Sequence, residues 1–285
     1  MRHRIYTTLF VVGALTLSAC TQDGDDVVDR ALQDVNVVDA TDLNDVMLTV
    51  ADAGEAVNYF NRAVAGDPGR VDLMRGLATS LIRAHRAREG VDAWREVVAH
   101  AEATDADSVQ LADALIRDNQ WDAAEVVLDT IPPTHETYRR YRLEAMVADS
   151  NEEWERADSY YQTASGLTTT PAGVLNNWGF SQLTRGEYRE AQRLFGEALR
   201  HDPDLFTAKN NLILARGAQR KYDLPVIPMT QIERAQLLYT MALTAIKQND
   251  LNIGRAILSE AIETHPQHFE EATRSLAALE ANVSN

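Results

Sequence analysis

Apolar residues recur along most of this chain at three- and four-residue spacing, the period of helices that bury one face. The clearest stretch is 172–205, AGVLNNWGFSQLTRGEYREAQRLFGEALRHDPDL. Its first half lines up Leu175, Trp178, Gly179 and Gln182; its second half lines up Tyr188, Ala191, Phe195 and Ala198. Gly186 breaks the pattern between the halves, and Pro203 stops the second. The pattern predicts two helices joined by a tight turn. Gly179 and Ala191 are small enough to let these helices approach closely, and Ala198 serves the same purpose toward the next pair.

The same pattern returns at a step of 34 residues. In 138–171 the matching places hold Ala145, Trp154, Ala157, Tyr161 and Ala164. In 105–137 they hold Leu111, Ala112, Leu115, Trp121, Ala124, Leu128 and Ile131, with one residue missing at Pro132–Pro133. Residues 71–104 supply Leu77, Ala78, Leu81, Gly90, Trp94 and Val97. Residues 37–70 keep Ala56, Phe60, Ala63 and Pro68 but have a degenerate first helix. A later copy at 235–268 holds Met241, Ala242, Ala245, Leu251, Gly254, Leu258, Ala261 and Pro266. Leu or an aromatic followed by Gly, then Gly-x-Tyr, Ala, Phe, Ala and Pro, resembles the tetratricopeptide repeat.

Two stretches depart from the pattern. Residues 206–220, with Phe206, Ala208, Leu212, Ile213 and Ala215, read as a first helix that no second helix follows. Tyr222 to Pro228 reads as extended, because each proline biases its predecessor away from helix. Phe269 to Leu279 reads as a capping helix with Glu270 and Glu271 facing water. The expected fold is all-α: a solenoid of tetratricopeptide helix pairs, a right-handed superhelix with a C-terminal capping helix. Each pair buries its apolar stripe only against neighbours, so the array is a one-dimensional stack. The expected organisation is an array over 37–220 with about five repeats plus one extra helix, a proline-containing linker over 221–230, and a final repeat with its cap over 231–285.

The N-terminus reads as an address. Arg2, His3 and Arg4 precede a mostly apolar run from Ile5 to Leu17, too short for a confident membrane span. Leu17–Ser18–Ala19–Cys20 resembles the bacterial lipobox, which implies a signal peptide over 1–19 and lipidation at Cys20. Several acyl chains on one cysteine give stable anchoring. Thr21 stands where an aspartate favours inner-membrane retention, so the expected location is the outer membrane, facing the periplasm. Residues 20–36 carry Asp23, Asp25, Asp26, Asp29 and Asp34 and read as a self-repelling tether.

Charge and motif content narrow the function. The 285 residues carry a formal net charge of −16, and the densest basic run is Arg139–Arg140–Tyr141–Arg142. That excludes nucleic acid as an expected partner. The single cysteine excludes an internal disulfide and a multi-cysteine metal site. His265–Pro266–Gln267–His268 reads as an exposed loop rather than a metal site, since no third ligand is near in sequence. No HExxH, P-loop, GxSxG or GxGxxG occurs. The reading is a non-enzyme with no cofactor and no metal. The four tryptophans, Trp94, Trp121, Trp154 and Trp178, read as core packing from their helical register.

Asn177 and Asn211 lie 34 residues apart on first helices, and Gln110 holds the same register. Asn176 and Asn210 repeat beside them. In tetratricopeptide proteins this position often faces the concave groove, where an amide can donate to and accept from an extended peptide. The alternative is an exposed or helix-packing asparagine. Arg142, Lys209, Arg139 and Arg75 are further candidates, as a positive lining of that groove.

Taken whole, the chain resembles the TadD family, tetratricopeptide lipoproteins of the Flp (Tad) pilus assembly system. The residues behind this are the lipobox, Asn176 to Phe180, Asn210 to Ala215, Pro225 to Pro228, Glu233 to Ile246 and His265 to His268. The resemblance implies a role at the outer membrane, where the protein assists pilus secretin or other assembly subunits as its partners. The runner-up is a tetratricopeptide lipoprotein that scaffolds or regulates other envelope machinery, such as barrel assembly or cell-wall enzymes.

Overall fold

A computed structural model describes residues 43–283. The predicted signal peptide, Cys20 and the acidic tether lie outside the described residues. Among the described residues there are fourteen helices and no strand. The chain divides into two compact units, one ending at Arg86 and the other beginning at Ala87. The division falls at the turn inside the 71–104 copy.

The first unit holds α1 (43–49), α2 (Ala53–Gly66) and α3 (Val71–Arg83). Asp52 caps α2, accepting the backbone N–H of Gly54 at 2.8 Å and of Glu55 at 3.2 Å. Phe60 of α2 is fully buried, and its ring occupies the space that a Cβ on Gly76 of α3 would need, 2.3 Å away. The degenerate first helix is short, and Arg83 closes its end. The guanidinium donates to the carbonyls of Met47 and Ala51, both at 2.9 Å, which would otherwise lack helical partners.

The second unit holds α4 (Ala87–Ala99), α5 (Asp105–Arg117), α6 (Trp121–Asp129), α7 (Tyr138–Ser150), α8 (Trp154–Gly166), α9 (Ala172–Thr184), α10 (Tyr188–His201), α11 (Phe206–Gly217), α12 (Gln231–Lys247), α13 (Leu251–Thr264) and α14 (Glu270–Val283). Within it α5 packs on α6, α7 on α8, α9 on α10 and α12 on α13. Each first helix ends in a residue with positive φ: Asn119, Glu152, Gly186, Arg220 and Asn249, as does His85 in the first unit. One left-handed residue lets the chain reverse in two or three positions. Asn119 and Glu152 are 33 apart where the other full repeats step by 34, and α6 stops at Asp129 ahead of Pro132–Pro133.

Glycine and alanine set the helix spacing. A Cβ on Gly179 would stand 2.7 Å from the Phe195 ring, and one on Gly254 would stand 2.5 Å from Ile246. After α11 no second helix forms. Residues 218–230 cross instead as an irregular strap. Tyr222, Leu224 and Met229 pack on the core of α12 and α13, while Ile227 packs on the core of α9 and α10. A capping box opens α12: Thr230 Oγ1 accepts from the Glu233 N–H at 3.1 Å, and Glu233 Oε2 accepts from the Thr230 N–H at 2.7 Å. The last helix, α14, packs on α13 and buries Phe269, Ala272 and Leu279 with Glu270 and Glu271 exposed.

Candidate functional site

The turn residues give every first helix a common ruler. Seven places before the turn sit the small residues Ala112, Ala145, Gly179 and Ala242, and in α11 Ile213, all buried. Three places before it sit Ile116, Leu183, Gly217 and Ile246, and in α7 Asp149. A carboxylate stands where the other copies are apolar or glycine.

The structure surrounds Asp149 with hydroxyls. Ser181 of α9 donates to Oδ1 at 2.6 Å, and Tyr161 of α8 donates to Oδ2 at 2.8 Å. Burial pushes the Asp149 carboxyl above its ordinary range, against the lowering effect of both hydroxyls. Tyr161 is raised as well, first by burial and then by the Asp149 charge, so it stays a hydrogen-bond donor. One turn away a second carboxylate is treated differently. Asp158 of α8 accepts from Trp178 Nε1 at 2.7 Å and Gln182 Nε2 at 3.0 Å. It also takes both Arg185 guanidinium nitrogens, at 2.6 and 3.1 Å. Arg185 lies over the Trp154 ring, 5.3 Å from its centroid.

Beside Asp149 opens a cavity of about 340 Å³. Its wall is aromatic and thioether: Trp121, Trp154, Phe180 and Met146. Asn176 and Asn177 complete it with Ser150, Ser181 and Thr184. Phe180 is 49% exposed, large for an aromatic residue on a packed helix. Two of the tryptophans therefore correct the sequence expectation. Trp94 is buried as core, and Trp178 stacks on Tyr161 at 6.3 Å. Trp121 and Trp154 are half-buried wall residues. Each opens its helix at the first position. A side chain there leans over the preceding turn instead of into the seam between helices.

The other predicted site residues scatter. Asn177 lies on the cavity wall and donates to Met146 Sδ at 3.4 Å. Asn211 donates to Asn176 at 3.1 Å, and Asn210 accepts from the Thr240 hydroxyl at 2.8 Å. These bonds tie α11 to α9 and α12 to α11, so the 34-residue recurrence of Asn210 and Asn211 serves packing between repeats. Lys209 does not line a groove. It is 1% exposed and paired with Glu233 at 2.9 Å, because its place on α11 faces the start of α12. Arg142 pairs with Asp113 at 3.5 Å. Gln110 and Arg139 lie together in a separate hollow of about 410 Å³ with His135, Tyr138 and Leu167.

Sequence reading missed Asp149, Tyr161 as its donor, and the Asp158–Arg185 pair. The ruler carried one signal for them: a lone aspartate in an otherwise uncharged register. What the arrangement offers chemically is recognition, through aromatic area, amide groups and one carboxylate in a concave wall.

No protein-family model matches the chain, and no curated protein is significantly similar to it in sequence. Solved structures do match. The APC/C hetero-tetramer Cut9-Hcn1 aligns at a TM-score of 0.58 and 14% identity, covering 80% of this chain and 46% of that one. The human IFIT1 dimer with m7Gppp-AAAA aligns at 0.57 and 15%, covering 80% and 58%. A tetratricopeptide repeat protein from Parabacteroides merdae aligns at 0.55 and 11%, covering 91% of this chain and all of that one, 100%. The match thus spans less than half the length of the first of these chains and over half that of the second. At such identities the likeness speaks for the fold alone, and that fold is an all-α solenoid of the tetratricopeptide type.

Proposed function

We propose that this chain is a protein-binding scaffold, held at the outer membrane by a lipid on Cys20, which assists assembly of the Flp (Tad) pilus machine. The observation that carries the binding reading is the open, aromatic cavity on the first-helix side of α7 and α9, with the Asn177 amide at its wall. A packed solenoid has no structural need to leave Phe180 half in water beside two half-buried tryptophans. The helical-repeat fold supports a role in holding other proteins. The lipobox residues and the resemblance to the pilus lipoproteins support the location and the partner.

The lipid would tether the array on the periplasmic face, and the cavity would take a side chain from an extended segment of a secretin or assembly subunit. The test is crosslinking in intact cells with the tagged protein, followed by identification of captured proteins. The comparison is wild type, Asn177→Ala combined with Phe180→Ala, and Cys20→Ala. Recovery of secretin or pilus subunits, lost in the cavity variant and released from membranes in the Cys20 variant, supports the whole reading. Recovery of barrel-assembly proteins or cell-wall enzymes in their place rejects the pilus role and keeps the scaffold.

A further inference from the structure

The cavity beside Asp149 has two properties that an apolar pocket does not. Asp149 is the only charged residue among its described lining residues. It also has no cation of its own in hydrogen-bond contact: its two oxygens receive hydroxyls from Ser181 and Tyr161. Arg185, whose charge acts on Asp149 through space, is held by both terminal nitrogens on Asp158, and one of them also donates to the Ser181 hydroxyl at 3.1 Å. The two guanidinium groups whose charges reach this cluster, Arg185 and Arg142, are thus already paired, with Asp158 and Asp113.

We propose that this cavity seats one basic side chain, a lysine or arginine, of the bound partner segment, gripped between the tryptophan walls and the Asp149 carboxylate. This deepens the protein-binding reading above and rests on it.

Three observations carry the choice of a cation over an apolar side chain. An apolar occupant would bury the Asp149 carboxylate further and give it no partner, which is unfavourable. A cation does the opposite, adding a charge-assisted bond to each oxygen's remaining lone pair. The walls suit it too. Tryptophan is the best cation–π surface among the side chains, and one of these rings, Trp154, already carries a guanidinium at 5.3 Å on Arg185. Beyond the cavity, a chain of net charge −16 draws cationic segments toward itself. The volume of about 340 Å³ fits one long side chain with accompanying water. Asn176 and Asn177 are then placed to meet the backbone on either side of the inserted residue.

The test uses the full chain in detergent, with tryptophan indole N–H signals read by NMR. The probes are butylammonium, butylguanidinium, 1-butanol and butyrate. The expected result is that both cations shift the Trp121 and Trp154 signals, with apparent affinities roughly tenfold above that of butanol. In Asp149→Asn, where the amide oxygen keeps one hydroxyl donor and the amide N–H donates to the other hydroxyl oxygen, that preference collapses to about parity. Trp121→Ala weakens both cations and guards against a folding defect in the Asp149 variant, which the indole spectrum would reveal. Equal binding of butanol and the cations, or a cation preference that survives Asp149→Asn, overturns the proposal. So does the absence of any shift at saturating probe. Each of these failures leaves the crosslinking result standing, so loss of the cation seat is distinguishable from loss of the scaffold role.

Discussion

Ser181 donates its hydroxyl to Asp149 at 2.6 Å across the seam between α7 and α9. The place of Asp149 on the other first helices holds isoleucine, leucine or glycine, so at this place in the register only α7 offers a polar side chain. A buried polar bond adds direction at the expense of desolvation. Here it fixes the wall of the aromatic cavity beside Asp149, with measurable consequences.

The first concerns acidity. The folded Asp149 carboxyl has its pKa raised above the ordinary value of 3.8, chiefly by burial. Well below that value both folded and unfolded chains hold the proton, and the group has no effect. As pH rises the unfolded chain ionises first, so stability falls until the folded carboxyl ionises too, and stays lower beyond. Asp149→Asn removes this slope. Urea denaturation at several pH values from about 4 to neutral should find the variant flatter than wild type and no less stable at neutral pH. A wild type that gains on the variant as pH rises contradicts the assignment.

Lys209 and Glu233 make the opposite case. Lys209 is enclosed, whereas Glu233 keeps 20% of its side chain in water and is also bonded to the Thr230 N–H. The Lys209 hydrogen bond, with the cap, holds the Glu233 carboxyl below its ordinary range. Its contribution is therefore present above that range and lost as pH falls. Glu233→Ala strands a buried ammonium and should cost about 3 kcal/mol or more at neutral pH. Lys209→Met replaces the ammonium with apolar bulk and leaves Glu233 its cap, so it should cost distinctly less. Chemical denaturation of both variants compares them directly, and equal losses would contradict the asymmetry.

Close approach in the α9–α10 pair depends on Gly179. An alanine there meets the Phe195 ring at 2.7 Å, and the ring is wholly buried with little room to shift. Gly179→Ala should destabilise by about 1–3 kcal/mol. Adding Phe195→Leu should return part of that loss, so that the double-mutant cycle is non-additive. Additive losses would place the strain elsewhere.

The turns offer a stabilising change. Glu152 sits at φ 60°, where a Cβ costs roughly 1 kcal/mol, and Gly186 fills the same place at φ 84° without one. Glu152→Gly should raise stability by about 0.5–1 kcal/mol, and Gly186→Ala should lower it by about 1–2 kcal/mol. Thermal melts of the two single variants check both signs.

Much of the fold was legible because each helix pair repeats a local pattern. The buried faces of α9 and α10 follow from the spacing of Leu175, Gly179, Ala191, Phe195 and Ala198, all of which are buried. The missing partner of α11 followed from Pro225 and Pro228, and 218–230 forms no helix. The candidate site was much less legible. Asn176 and Asn177 line the cavity, but Asn210 and Asn211 bond within the stack and Lys209 is enclosed.

Sequence by itself determined the period, the breaks and the small residues at which helices touch, since all three depend on neighbours within a few positions. Tertiary structure alone decided which polar residues would meet. Asp149, Tyr161 and Ser181 lie on three successive helices, and their meeting depends on how far each helix is rotated about its axis. Trp121 and Trp154, each at the first position of its helix, lie in the cavity wall and not in the core. Periodicity names the face a helix buries. The position of each residue on that face, toward a neighbour or toward a gap, comes from packing between helices.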